Sequence, residues 1–247
     1  MSFQGKDPKT VSNESPDIEI LGKQERPSAW AAHSLSVPQR LFVLFLSYLP
    51  LLHAIGTGWI LMAHWAQWYW RLPAALAVLF LLPALIARII VKGFPMRSTV
   101  IEIGSADFFK WWTLLNLQVL FCRLTFLEET MRLIPSAYSA WLRLWGSRIG
   151  RLVYWAPGTL ILDRSFLEIG DDVIFGAGVR INPHVMVRND AGATQLLLAP
   201  VKIGARTLVG GYSLLTAGTE LAPDAPTRAF LISPPFSKWR GEKRVRE

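Results

Sequence analysis

The stretches Ile169-Gly170-Asp171-Asp172-Val173-Ile174, Phe175-Gly176-Ala177-Gly178-Val179-Arg180 and Ile181-Asn182-Pro183-His184-Val185-Met186 repeat one pattern every six positions. An apolar residue opens each hexad, a small residue usually follows, and an aliphatic residue often returns at the fifth place. The phase resumes in Ile203-Gly204-Ala205-Arg206-Thr207-Leu208, Val209-Gly210-Gly211-Tyr212-Ser213-Leu214 and Leu215-Thr216-Ala217-Gly218-Thr219-Glu220. A short fixed period predicts a stacked parallel β-solenoid, in which each opening residue is buried against the coils above and below. Ile169, Phe175, Ile181, Ile203, Val209 and Leu215 are then the inward positions of a solenoid over 146–225. The gap in the repeat lies directly behind His184, the sole histidine of the C-terminal half.

Upstream the chain changes character. Of its 247 residues 51% are hydrophobic and only 18% charged, a balance that points to membrane segments rather than to an unusually large core. Residues 1–28 are polar and carry Pro8, Pro16 and Pro27, which predicts a disordered cytoplasmic tail. A membrane anchor follows over 29–106. It holds two apolar runs, 41–64 and 72–91, each long enough to cross about 30 Å of hydrocarbon. The first run starts too late and runs too long for a signal peptide. The short connection His64-Trp65-Ala66-Gln67-Trp68-Tyr69-Trp70-Arg71 is aromatic, as expected of a hairpin turn at the membrane–water boundary. Arg88 near the end of the second run, with Lys92 and Arg97 after it, against Arg71 alone in the turn, place both termini in the cytoplasm by the positive-inside rule. Pro50, Gly56, Gly58 and Pro83 are candidate kinks. Residues 107–147 read as amphipathic helices lying in the interface, divided near Pro135, with a third span over 107–134 as the poorer alternative. The solenoid and a basic C-terminal tail occupy 148–247.

The net charge of +8, without any nucleic-acid motif, reads as a surface facing membrane and phosphate groups. Cys122 stands alone, which excludes an intrachain disulfide, and the chain shows no Cys/His cluster of metal-binding type. Gly176-Ala177-Gly178 belongs to the hexads and is not a nucleotide-binding loop.

The hexads over about 146–241 resemble the hexapeptide-repeat acyltransferases. That resemblance implies a left-handed parallel β-helix, so that the whole chain is an α+β membrane protein: a transmembrane helical hairpin, interfacial helices and a short left-handed β-helix. The sub-pattern is similar to the β-helical C-terminal part of poly-lysine-synthetase-like membrane proteins, where a segment like Trp141-Leu142-Arg143-Leu144-Trp145-Gly146-Ser147-Arg148-Ile149-Gly150 leads into the solenoid. The resemblance further implies a homotrimer and an acyl donor in the form of a coenzyme A thioester, or an acyl carrier protein's phosphopantetheine. It also implies a bacterial-type inner-membrane location with the catalytic domain in the cytoplasm.

His184 is the candidate catalytic base, since a neutral imidazole suits removal of a hydroxyl or amine proton near pH 7. The alternative is a surface histidine at a coil corner. Asn182 lies two residues earlier and would share its face along a strand. Asn182 and Arg188 are the substrate-binding candidates, with Arg188 opening an extruded loop, 188–200. Gly210, Gly211, Lys238 and Arg240 are the candidates for holding the donor. The segment from Ile232 to Gly241 is similar to the family's Pro…Lys…Arg segment, in which basic side chains meet the cofactor's phosphates. Lys243, Arg244 and Arg246 fit a solvated basic tail. His33, His53 and His64 read as structural or interfacial. The function expected is transfer of an acyl group, acetyl being the simplest, to a membrane-associated hydroxyl or amine. The alternatives are a non-catalytic trimeric scaffold of a membrane biosynthetic complex and a carrier-protein-dependent transfer module of a nonribosomal pathway.

Overall fold

The computed structural model describes residues 35–96, 99–189 and 192–245. The tail 1–28, Arg97 and Arg246 lie outside the described residues.

Two apolar helices, Val37–Met62 and Trp68–Gly93, are long enough to cross a membrane and slightly longer than the sequence runs suggested. The first consists of α1 (Val37–Ser47) and α2 (Leu49–Met62), stepping at Tyr48 just before Pro50. The second runs through α3 (Trp68–Leu76), a π-helical turn over Ala77–Leu81, and α4 (Leu82–Gly93). The wide turn has a local cause. The Leu82 N–H bonds the Ala77 carbonyl, so the next carbonyl, Val78, faces Pro83, which has no N–H to give. His53 of α2 supplies the missing partner at 3.0 Å, which makes it a structural histidine that ties the two helices together.

A short strand β1 (Val100–Glu102) leads to α5 (Ala106–Arg123), α6 (Phe126–Arg132) and α7 (Ala137–Leu144). The helices expected over 107–147 are present, but α5 has no single polar face. Apolar residues run all round it, with Phe108, Trp111, Leu114 and Phe121 buried, because it is covered by α1, α2 and α4 and by the solenoid. Its buried polar residues Asn116 and Gln118 are hydrogen-bonded, Asn116 to the Trp112 carbonyl and Gln118 to Arg164.

The solenoid begins where the hexads predicted. Its first coil holds β2 (Arg148–Ile149), β3 (Tyr154–Trp155) and β4 (Leu160–Ile161). The second holds β5 (Leu167–Ile169), β6 (Ile174–Phe175) and β7 (Arg180–Asn182). A hairpin of β8 (His184–Arg188) and β9 (Thr194–Leu198) interrupts the winding, which then resumes with β10 (Val201–Ile203), β11 (Leu208–Val209) and β12 (Leu214–Thr216). The last coil holds β13 (Glu220–Leu221), β14 (Ile232–Ser233) and β15 (Lys238–Arg240), and β16 (Lys243–Val245) folds back on β15. The coils stack as three parallel sheets, β15-β13-β10-β5-β2, β11-β6-β3 and β14-β12-β7-β4. All six predicted inward residues are 5% exposed or less.

Regular coils advance by 18 residues, as in Lys202 opposite Glu220, but the first advances by 20, as in Leu160 opposite Arg180. The extra residues fall between Ile161 and Leu167, in the turn that carries Asp163 and Arg164. The open upper end of the prism is closed by α7. Tyr138 packs edge-on against Trp155 at 5.2 Å, Trp155 donates to Ser139, and Trp141 donates to the Phe80 carbonyl of the π-turn. The solenoid is thereby joined to the second apolar helix.

The expected loop 188–200 is a hairpin that starts at His184 itself, and β9 also pairs antiparallel with β1. The expected loose basic tail is ordered in part, since Lys243 and Arg244 sit in β16 and pair with β15.

Candidate active site

The corner between β7 and β10 is where the second coil extrudes its hairpin, and the matching corner of the first coil is the two-residue expansion. Their stacking brings His184 against Asp163. The His184 Nδ1 and one Asp163 carboxylate oxygen form a hydrogen bond, and the other oxygen accepts from Trp111 Nε1 at 2.9 Å. The Trp111 ring packs edge-on against the imidazole at 5.0 Å. Asp163 is 1% exposed and takes the left-handed conformation, φ 54°, which Asp tolerates better than most residues.

This geometry has a definite chemical consequence. A buried carboxylate on Nδ1 fixes the tautomer with Nδ1 protonated, leaving the Nε2 lone pair as the basic site. Burial alone would push the imidazole pKa down, whereas the Asp163 charge and hydrogen bond push it up, and the net result lies above the usual 6.5. With a side chain 17% exposed, His184 is reachable while largely desolvated. The orienting group is Asp163 of the same chain.

Asp163 and Trp111 were missed in the sequence. The available signal was the phase slip: apolar positions at Ile149, Trp155 and Ile161 lead by the period to Leu167, yet the next coil resumes at Ile169. Two residues inserted into one corner next to the histidine's coil mark Asp163-Arg164. Nothing local marks Trp111, which arrives from α5.

The other candidates are dispersed. Asn182 ends β7 while His184 begins β8, so the corner at Pro183 separates them and the shared-face expectation does not apply. The Asn182 Oδ1 is buried without a hydrogen-bond partner. Arg188 sits at the far end of β8, four residues or about 13 Å along the strand from His184. Gly210 and Gly211 lie at the corner between β11 and β12, a different edge of the prism. A Cβ on Gly210 would come within 2.2 Å of the Arg228 backbone, so this glycine serves coil stacking. Lys238 and Arg240 lie in the last coil. Lys238 is in register with Glu220, Lys202, Glu168 and Arg148, an alternating ladder of charge on the outer sheet face. These four candidates for the donor do not converge on His184. Among the described residues no group of three or more His, Cys, Asp or Glu is placed to hold a metal.

No protein-family model matches the chain, and no curated protein does. Among solved structures the fold is similar to a maltose O-acetyltransferase from Clostridium difficile 630, at 17% identity and a TM-score of 0.39, over 53% of this chain and 88% of that one. It is also similar to a hexapeptide-repeat-containing acetyltransferase from Vibrio cholerae, at 14% identity and a TM-score of 0.32, over 52% and 90% of the two chains. A galactoside acetyltransferase in complex with coenzyme A matches at 13% identity and a TM-score of 0.31, over 53% and 82%. At these values the chemistry rests on the chain's own geometry.

Proposed function

We propose that this chain is a membrane-anchored acyltransferase of the hexapeptide-repeat type, with His184 as general base and Asp163 as its orienting carboxylate. The observation that carries the reading is the Asp163–His184 pair, formed at the corner where the repeat breaks. The neutral His184 Nε2 takes the proton from an acceptor hydroxyl or amine as that atom attacks the acyl carbonyl. Asp163 holds Nδ1 and stabilises the imidazolium so formed. As the carbon–sulfur bond breaks, His184 returns the proton to the departing thiolate, which restores the neutral ring. The donor supplies an acyl group activated as a thioester, either of coenzyme A or of a carrier protein's phosphopantetheine.

The two apolar helices serve in this reading as a hairpin anchor. The acceptor is then membrane-associated, the solenoid winds left-handed and faces the cytoplasm, and three copies assemble. A stripe of exposed apolar residues on one sheet, Tyr154, Ile174 and Leu208 in register, fits contact between copies.

The test is His184→Ala in the full chain. Thioester hydrolysis or acyl transfer should fall by about 10²–10⁴-fold with the fold retained, since the hexad core is untouched. A variant that supports the cellular pathway as well as the parent does, at equal protein level, replaces the enzyme reading with the scaffold.

A further inference from the structure

Two cavities meet where the second apolar helix ends. One, of about 540 Å³, is lined by Arg88, Arg143, Gly146, Arg148 and Asp171 among others. Its neighbour, of about 380 Å³, shares Gly146 and Arg148 and is walled by Val91, Phe94, Met96, Phe166 and Leu198. The first holds three arginines beside Asp171, and the second is walled mainly by apolar side chains but also holds Glu168 and Arg148.

Two of the arginines of the first cavity are tied to backbone carbonyls. Arg88 leaves the last turns of α4 and turns toward the solenoid, where Nη1 donates to the Arg143 carbonyl at 2.9 Å. Arg143 is fixed in turn by its bonds to the Ile149 and Gly150 carbonyls, at 2.8 and 2.6 Å. Those bonds use one donor nitrogen of Arg88 and two of Arg143, so guanidinium N–H groups of both remain for a ligand. Arg148 closes the cavity from β2. Of the carboxylates on the rim, Asp171 accepts from Arg151, while Glu168 lies 3.8 Å from Arg148 itself. Three arginines therefore line the one cavity, beside the apolar wall of the other.

We infer that this double cavity binds a single anionic membrane lipid, its phosphate among Arg88, Arg143 and Arg148 and its first methylenes against Phe94, Met96 and Phe166. The inference rests on the membrane reading, which puts the end of α4 at headgroup depth. Planar forked donors suit phosphate, and a soluble anion would have no use for the apolar half. The exposed Phe94 at the junction, 63% exposed, fits the same depth. The site also borders the acyl-transfer corner. The Phe166 N–H closes the turn that starts at Asp163, and Leu198 lies opposite His184 across the hairpin. A lipid seated here would brace the back of that turn.

The test uses the full chain, purified in detergent and reconstituted with phosphatidylglycerol or phosphatidylcholine. Native mass spectrometry then reads the lipid retained. The parent should keep one phosphatidylglycerol per chain in preference to phosphatidylcholine. Arg88→Gln with Arg148→Gln should lower that retention about tenfold at unchanged melting temperature, the loss expected for charge-assisted bonds of this kind. Equal retention of the two lipids, or undiminished retention by the double variant, overturns the assignment. Displacement of the lipid by millimolar inorganic phosphate would assign the arginines to a soluble phosphate instead. None of these readouts depends on acyl transfer, so they stand or fall apart from His184.

Discussion

At the scale of the residue, the proposed chemistry depends on one carboxylate. Asp163 meets His184 and Trp111 with its two oxygens, and neither partner is near it in sequence. Because the His184 pKa is raised above 6.5, the neutral ring needed for base catalysis forms only above that value. Acyl transfer should therefore rise with pH through an apparent pKa higher than that of free imidazole. Asp163→Asn removes the charge that raises it. The acid limb of the pH–rate profile should move to lower pH while the plateau falls, and an unmoved limb would show that another group titrates there. The stability contribution of this pair has the opposite sense. A raised histidine pKa stabilises the fold fully below about 6.5, and the effect is lost as pH rises through the native value.

At the scale of the element, the turn carrying Asp163 is held by the residue after it. Arg164 is fully buried. Its side chain pairs with Glu128 of α6, its backbone N–H donates to Gln118 of α5 at 3.0 Å, and its carbonyl accepts from Ser147 at 2.6 Å. Arg132 and Tyr138 complete the network on the other Glu128 oxygen. Glu128→Gln would leave the guanidinium buried without its counter-charge, at a cost of about 3–5 kcal/mol. Glu128→Gln combined with Arg164→Met should cost less than the two single changes summed, as read by thermal or denaturant melting; simple additivity would mean that the pair is not coupled. The hexad core makes a plainer prediction. Ile181 is 0% exposed between Ile161 and Leu215 in the adjoining coils. Ile181→Asp should destabilise by at least about 3 kcal/mol, since the carboxylate would have no partner there. A melting temperature close to the parent's would contradict the inward placement.

At the scale of the whole molecule, α5 and α7 join what the sequence presents as separate parts. α5 touches the apolar helices and supplies Trp111 and Gln118 to the Asp163 corner, while α7 caps the solenoid and reaches the π-turn through Trp141. The hairpin topology predicts that a cysteine introduced as Gln67→Cys, between the two apolar helices, reacts with a membrane-impermeant thiol reagent from the outer face only, once Cys122 has been replaced by Ser. Labelling from the cytoplasmic face alone would reverse the orientation.

The sequence by itself determined the solenoid, its start near Arg148, its inward residues and the break beside His184. Each of these is periodic or adjacent along the chain, and a stacked coil repeats its contacts at fixed spacing. It also showed the two long apolar helices, which follow from local composition. It did not reveal that α5 is covered on both sides, because a helix with apolar residues all round gives no direction to its burial. The tertiary structure alone decided the partner of His184. Asp163 comes from the neighbouring coil through a two-residue slip in the period, and Trp111 crosses from a helix far upstream in the chain. The Asp163–His184 pair is a relation in space between residues distant in sequence, and only the packing of coil on coil and helix on solenoid brings these together.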